Sequence, residues 1–519
     1  MNLLNTIKVF SLLCIASAFL AINSCCQPQF PTDTKFCSEK APLFPDYESG
    51  IVIPANIAPL NFVLPDSVQE TYIEVTSSTA SRTFHIKNSM RFPLKIWKKL
   101  LHQATLGLPD SLVIRIAVRG DSSFLQYPPL VWQIRPEPID PYLTYRLVQP
   151  IDGVFTATAL YERHLEDFNV RKLMDNALMD NNCFNCHTYH NGNARRMMIH
   201  LRKPSEGTLF LEEETFTKAL PDLTYLKQLP DSLQMPLSLV YPSWHPNGDF
   251  IAFSTNLIGT SGYTAHRRFI NLLDSAANIA VYDIKNNRIL LDKNLWTSDY
   301  EETWPAWSSD GRWLYFCRVA KMPQDTAMRY PNYSERVRHL YFDLCRIAFD
   351  EKKNKFSDSV QTILHGAYGT CYSEPRVHPD GKKVLVCRAL FSSRPDHSFS
   401  DLVLLDTADF STEKPNWNPA EILNSEEAES WHEWSRSGRW LVFTSKRLDG
   451  HYMFPLIAYF DGERFSKPFL LPQEDGTYYQ TVLRSFNLPT FTQNTSPVTP
   501  QKAVKARQLP AHPMAVVYQ

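Results

Sequence analysis

The sequence predicts an all-β protein made largely of repeated small sheets, and three observations carry that expectation. Short alternating apolar segments recur along most of the 519 residues, with few stretches of helical period. Four segments repeat one pattern: Tyr241-Pro242-Ser243-Trp244-His245-Pro246-Asn247-Gly248, Trp304 to Gly311, Glu374 to Gly381 and Trp431 to Gly438. Each leads into an apolar run such as Phe250 to Ser254 or Trp440 to Thr444. A strand, a tight Asn-Gly or Asp-Gly turn and a buried strand explain that order of residues. The composition, 44% apolar and 13% aromatic, supplies enough side chains for extended cores.

Along the chain, the first segment reads as an export signal. Lys8 precedes an apolar run from Val9 to Ile22, which is short for a membrane span. Ile22-Asn23-Ser24-Cys25 has the form of a lipoprotein processing box, so residues 1–24 are expected to be removed and Cys25 lipidated. Cys26 is the weaker choice. Residues 25–48, rich in Pro, Gln, Thr and Asp, read as a tether. Residues 49–140 then show β alternation at Tyr72 to Thr76 and Leu112 to Arg119, with a helical turn or more within Phe92 to Leu101. A β-sandwich-like domain of immunoglobulin size fits them.

Cys183-Phe184-Asn185-Cys186-His187 lies in a connecting segment over 141–205. Two thiols at this spacing can each join a porphyrin vinyl group while the adjacent imidazole reaches the iron, which predicts one covalent haem c per chain. A redox dithiol or part of a zinc site, with His190 and His200 as further ligands, are the alternatives. For the second axial position Met197 to His200 have the reach, with Met197 and Met198 favoured; His190 lies too near His187, and His164 is a distant outsider. Arg195, Arg196 and Arg202 are candidates for pairing with haem propionates, and otherwise solvated loop residues. Both methionines have the rival reading of core packing.

The repeats extend over residues 206–491, at intervals of 57 to 70 residues in their clear copies. Degenerate strands at Met197 to Leu211 and Tyr478 to Arg484 bring the expected blade count to about six. Trp244, Trp307 and Trp434 recur at one position, which points to blade packing. Residues 492–519, Pro-, Gln- and Thr-rich, read as a disordered tail.

The repeats resemble the TolB-type, WD40-like propeller repeat, whose core is Pro-x-Trp-x-Pro-Asp-Gly. Val377 departs from it in place of Trp, and Ser-Ser-Asp and Ser-Arg-Ser replace the Pro-containing turn twice. The order of β domain, Tyr142 to Pro150, the Cys-x-x-Cys-His stretch, Met197 to Arg202 and Tyr241 to Phe253 resembles a family of bacterial envelope lipoproteins, some labelled cytochrome c biosynthesis proteins. That resemblance implies a location on the periplasmic side of the outer membrane of a Gram-negative cell.

With 53 basic and 54 acidic residues the chain has no field for attracting nucleic acid. No Gly-x-Ser-x-Gly, His-Glu-x-x-His or phosphate loop is present, so a hydrolase signature is missing. The functional expectation is therefore a membrane-tethered c-type cytochrome whose propeller docks a redox partner. Its rivals are a binding or scaffold lipoprotein in which the motif is structural, and an envelope assembly factor. A peroxidase-like enzyme with an open iron is the third class.

Overall fold

The computed structural model describes residues 28–149, 157–202, 205–262, 270–275, 277–322, 339–390, 400–411, 417–418 and 420–519. The signal segment, Cys25 and Cys26 lie outside the described residues. Within them, no helix is long and apolar enough to cross a membrane.

The chain divides into two compact units. The smaller comprises residues up to Ala55, Pro59–Pro136 and Pro472–Tyr478. Its main sheet runs Thr34–Phe36, Phe124–Gln126, Asp110–Arg119, Thr71–Thr76 and Ser81–Ile86, and Leu130–Arg135 with Val52–Pro54 completes its seven strands. Inward residues alternate as the strand period requires: Ile73 and Val75 face the core opposite Leu112, Ile114 and Ile116. A second layer holds the ladder of Phe62–Val63 with Ser89–Met90 and the helix Leu94–Leu100, where Phe92 bridges Phe62, Phe84 and Trp97. The expected tether is corrected in part, because Thr34–Phe36 pairs with Phe124–Gln126 in parallel and so belongs to the sheet.

The larger unit, mainly Glu137–Leu471 and Tyr479–Gln519, is a β-propeller. Among the described residues it has six four-stranded blades. Their inner strands are Phe184–His190, Leu239–Trp244, Tyr300–Trp307, Cys371–Val377, Glu429–Trp434 and Ser485–Thr492, here blades 1 to 6 in that order. Each inner strand touches the next, and the sixth touches the first, so the sheets close into a ring. Closure is non-local: blade 6 joins the late strand Ser485–Thr492 to the early strands Tyr142–Val148, Thr158–His164 and Val170–Asp175.

Three expectations are corrected here. Residues 141–205 are no insert; they form the outer strands of blade 6 and the first half of blade 1. Tyr478–Thr481 is a helical turn rather than a strand, and the inner strand begins at Ser485. The tail is ordered. Thr499 caps the helix Pro500–Arg507 by accepting from the Lys502 N–H, and His512–Tyr518 lies parallel to the outer strands of both blade 1 and blade 2. That strand covers two sheet edges at once.

Candidate functional site

The same backbone irregularity occurs in every inner strand. Cys186, Tyr241, Trp304, Glu374, Trp431 and Leu488 all have positive φ, between 47° and 55°, and the ladder register shifts beside each one. A non-glycine residue in that region signals a bulge held by its surroundings. Here the bulge turns successive side chains toward the propeller axis. Cys186, Tyr241, Trp304 and Trp431 pack into one axial hydrophobic cluster, with Leu488 against it.

Those five residues also line an axial funnel of about 540 Å³. The residues that follow each bulge continue its wall: His187, Pro242, Pro305, His432 and Pro489. The lining also holds one ion pair and one acidic group bound by the backbone. Arg376 Nε lies 3.3 Å from Glu433 Oε2, and the Arg436 backbone N–H donates to Asp140 Oδ2 at 2.8 Å. Burial pushes the Asp140 carboxyl up, opposed by that hydrogen bond. The indole N–H groups of Trp244, Trp304, Trp307 and Trp431, all in the funnel lining, are buried and have no partner among the described residues. Buried donors normally have one, so an acceptor supplied from outside is expected there.

The turns behind the wall explain the repeat. His245 donates from Nε2 to the Gly311 carbonyl of the next blade at 3.0 Å, and His190 to the Pro246 carbonyl at 3.1 Å. Each of these rings meets the next blade's tryptophan: His245 with Trp307 at 4.7 Å, and His190 with Trp244 at 5.5 Å between centroids. The recurring Trp residues thus pack between blades, as their common position implied, and Trp244, Trp307 and Trp434 also line the funnel.

The Cys-x-x-Cys-His stretch is the inner strand of blade 1 and its approach. Cys186 occupies the bulge position and His187 the position that is Pro in four blades. Phe184 and Asn185 pair with Leu201 and His200, and the Cys183 carbonyl accepts the Arg202 N–H. His187 is buried; its Nε2 lies 3.4 Å from Thr144 Oγ1 and its Nδ1 has no partner. Burial, with Arg146 adding to it, lowers its pKa to about 3, so the imidazole is neutral.

A neutral imidazole suits a metal, but covalent haem demands more. Both sulfurs must reach one macrocycle on the face that the imidazole serves. Cys186 and His187 line the funnel, whereas Cys183 is not among its lining residues, and Phe184 between the thiols fills the core between blades 6 and 1. In this backbone one of the two thiols, Cys186, opens onto the funnel beside His187. The seven cysteines among the described residues are all thiols.

The remaining haem candidates are dispersed. Met197 packs with Phe184, Ile199 and Ala503, while Met198 packs with Leu239, Phe253 and Met514. They therefore face opposite sides of one strand, as a period of two requires. Arg196 pairs with Glu212 and donates to the Gly248 carbonyl, and Arg195 lies 3.5 Å from Glu213. Arg202 lies beside His200, whose ring bonds Thr208 Oγ1. His164 pairs with Asp167 at 3.0 Å. None of these joins His187 in a common site.

One cluster escaped the sequence reading. Glu374, Cys387 and His432 bring a carboxylate oxygen, a sulfur and a ring nitrogen within 4.8 Å of one another. The available signal was the repeat itself: Glu374 replaces an aromatic residue, and His432 replaces Pro.

No family model and no curated protein matches the chain. Solved structures do. An oligogalacturonate lyase in complex with manganese is 14% identical with a TM-score of 0.33, covering 63% of this chain and 72% of its own. A GH74 enzyme of Niastella koreensis is 9% identical with a TM-score of 0.33, covering 75% of this chain and 45% of its own. The likeness stops at fold class.

Proposed function

We propose that this protein is a ligand-binding propeller, tethered to the cell envelope through Cys25, and that the axial funnel is its binding site. The observation that carries the reading is the set of buried indole donors of Trp244, Trp304, Trp307 and Trp431, which line the funnel without a partner among the described residues. A ligand rich in hydroxyl or carbonyl oxygens would satisfy them, and the Arg376–Glu433 pair at the wall offers it donors and acceptors in turn. A short saccharide has that chemistry, with apolar ring faces suited to the Tyr241, Trp304 and Trp431 side chains. In this reading the Cys-x-x-Cys-His spacing is a consequence of the blade repeat, and the stretch is structural. The envelope location rests on the sequence of residues 1–25 alone.

Calorimetric titration of the purified full chain with a panel of neutral and acidic oligosaccharides tests the reading. One-site binding by a panel member, weakened by Arg376→Ala, is expected. Absence of binding, together with haem retained by the chain through a denaturing gel, overturns it in favour of an electron carrier.

A further inference from the structure

We propose that Glu374, Cys387 and His432 form a binding site for one zinc-type divalent cation at the seam between blades 4 and 5. Cys387 Sγ lies 3.7 Å from Glu374 Oε2 and 3.7 Å from His432 Nδ1. A tetrahedral zinc with sulfur at about 2.3 Å and nitrogen or oxygen at about 2.0–2.2 Å separates such ligand pairs by roughly 3.5–3.7 Å. The two edges from sulfur therefore already match those of a zinc tetrahedron, and the Glu374 and His432 donors lie within 4.8 Å of each other.

Their orientation is fixed from outside. His432 Nε2 lies 3.1 Å from the Leu385 carbonyl, which can only accept, so Nε2 carries the proton and Nδ1 presents its lone pair to Cys387. Glu374 Oε2 accepts the Trp431 backbone N–H at 2.9 Å, which aims the carboxylate across the seam. All three residues are 2% exposed or less. Charge favours the ion as well. A thiolate and a carboxylate balance its two positive charges, the imidazole stays neutral, and the thiol proton leaves to solvent on binding. Buried, that neutral set costs far less than an isolated charge. His432 also lines the funnel, which gives a path of entry.

The repeat supplies a comparison inside the same chain. Cys317 in blade 3 pairs with Thr303 as Cys387 pairs with Ser373, and both cysteines are fully buried. Beside Cys317, however, the bulge residue is Trp304, and blade 4 offers Pro375. Only one of the two otherwise equivalent seams holds oxygen and nitrogen donors at these positions. The proposal does not depend on what the funnel binds.

The test is metal uptake by the full chain. Protein stripped with chelator and dialysed against zinc should retain about one equivalent. Cobalt in its place should give a thiolate-to-cobalt charge-transfer band in the near ultraviolet, and either metal should raise the unfolding temperature. Cys387→Ser and His432→Gln should lose the band and the metal-induced rise, while Cys317→Ser, an equally buried change, should keep both. Unfolding of the metal-free proteins shows that each variant is folded. Failure of the wild type to retain metal overturns the proposal. So does a band that survives in folded Cys387→Ser, or one lost equally in folded Cys317→Ser. If Cys387→Ser does not fold, Glu374→Gln stands in for it, with uptake weakened at least tenfold expected and unchanged uptake overturning the proposal.

Discussion

His378 donates from Nε2 to the carbonyl of Gly438 in the following blade at 3.0 Å, while its ring stands edge-on to Trp434 at 4.8 Å. Gly438 has a φ of +68°, and a Cβ placed on it would lie 2.4 Å from that same ring nitrogen. The glycine is thus required twice, for the turn and for the approach of the neighbouring blade.

Gly438→Ala should destabilise the protein by about 2–4 kcal/mol, since left-handed strain alone costs roughly 1–2 kcal/mol and the clash adds to it. Gly107→Ala is the control. Its φ is +87°, but a Cβ there meets nothing within 4 Å, so only the strain remains. Urea unfolding of both variants measures the difference, and equal losses would mean that the His378 contact yields freely.

How much of this was legible follows from which contacts are local. The Asn-Gly and Asp-Gly turns at Gly248, Gly311 and Gly381 announce themselves because glycine at positive φ is a local demand, and the expected count of about six blades agrees with the ring. Blade 6 was illegible as a unit, because Tyr142 pairs with Thr492 across almost the whole propeller and neither neighbourhood encodes the other. The place of the Cys183 to His187 stretch in the fold was hidden for a related reason. Its spacing is a chemical pattern, while its conformation is set by the bulge it shares with Tyr241 and Trp304. Its low similarity to the other copies hid that kinship. The cluster of Glu374, Cys387 and His432 was visible only as two departures from a repeat, which become meaningful once Cys387 is known to lie between them.

The C-terminal segment was misread from composition, and it offers a second test. Met514 and Val516 point into the core of blades 1 and 2, and the strand that carries them bonds the outer edge of each. Met514→Ala should cost about 2–5 kcal/mol. Removing residues 510–519 should also bare two sheet edges, so self-association is expected at concentrations where the full chain stays monodisperse. Light scattering beside thermal unfolding reads both effects. A truncated chain as stable as the parent would show that the strand is dispensable.

Acid should weaken the fold before the carboxylates titrate. His200 is buried against Thr208, and burial, with Arg202 adding to it, lowers its pKa to about 3. In the unfolded chain the same group takes up a proton near pH 6.5. Between about pH 6.5 and pH 3 the unfolded state therefore binds more protons than the native one, and stability falls as pH falls. Above that window the contribution is level. His200→Gln should flatten the slope of unfolding free energy in this range, although the substitution itself costs packing. An unchanged slope would mean that the native site admits the proton.

The axial cluster makes a prediction of opposite sign for two measurements on one variant. Trp304→Phe removes the unpartnered indole N–H while keeping a ring in the axial cluster. In the empty protein a buried donor without an acceptor is a cost, so its removal offsets part of the packing lost with the smaller ring, and the urea midpoint should move little. With ligand bound, the same donor makes a hydrogen bond worth about 1 kcal/mol, so the saccharide that binds the parent should bind the variant roughly five- to tenfold more weakly. A structural role would reverse this pattern, with stability falling and affinity holding. Trp440→Phe shows what that looks like. Trp440 is fully buried outside the funnel lining, and its indole N–H donates to the Glu137 carbonyl at 2.9 Å. If Trp304→Phe behaves as Trp440→Phe does, losing stability and keeping affinity, the indole donors do not read the ligand and the axial cluster is only a plug.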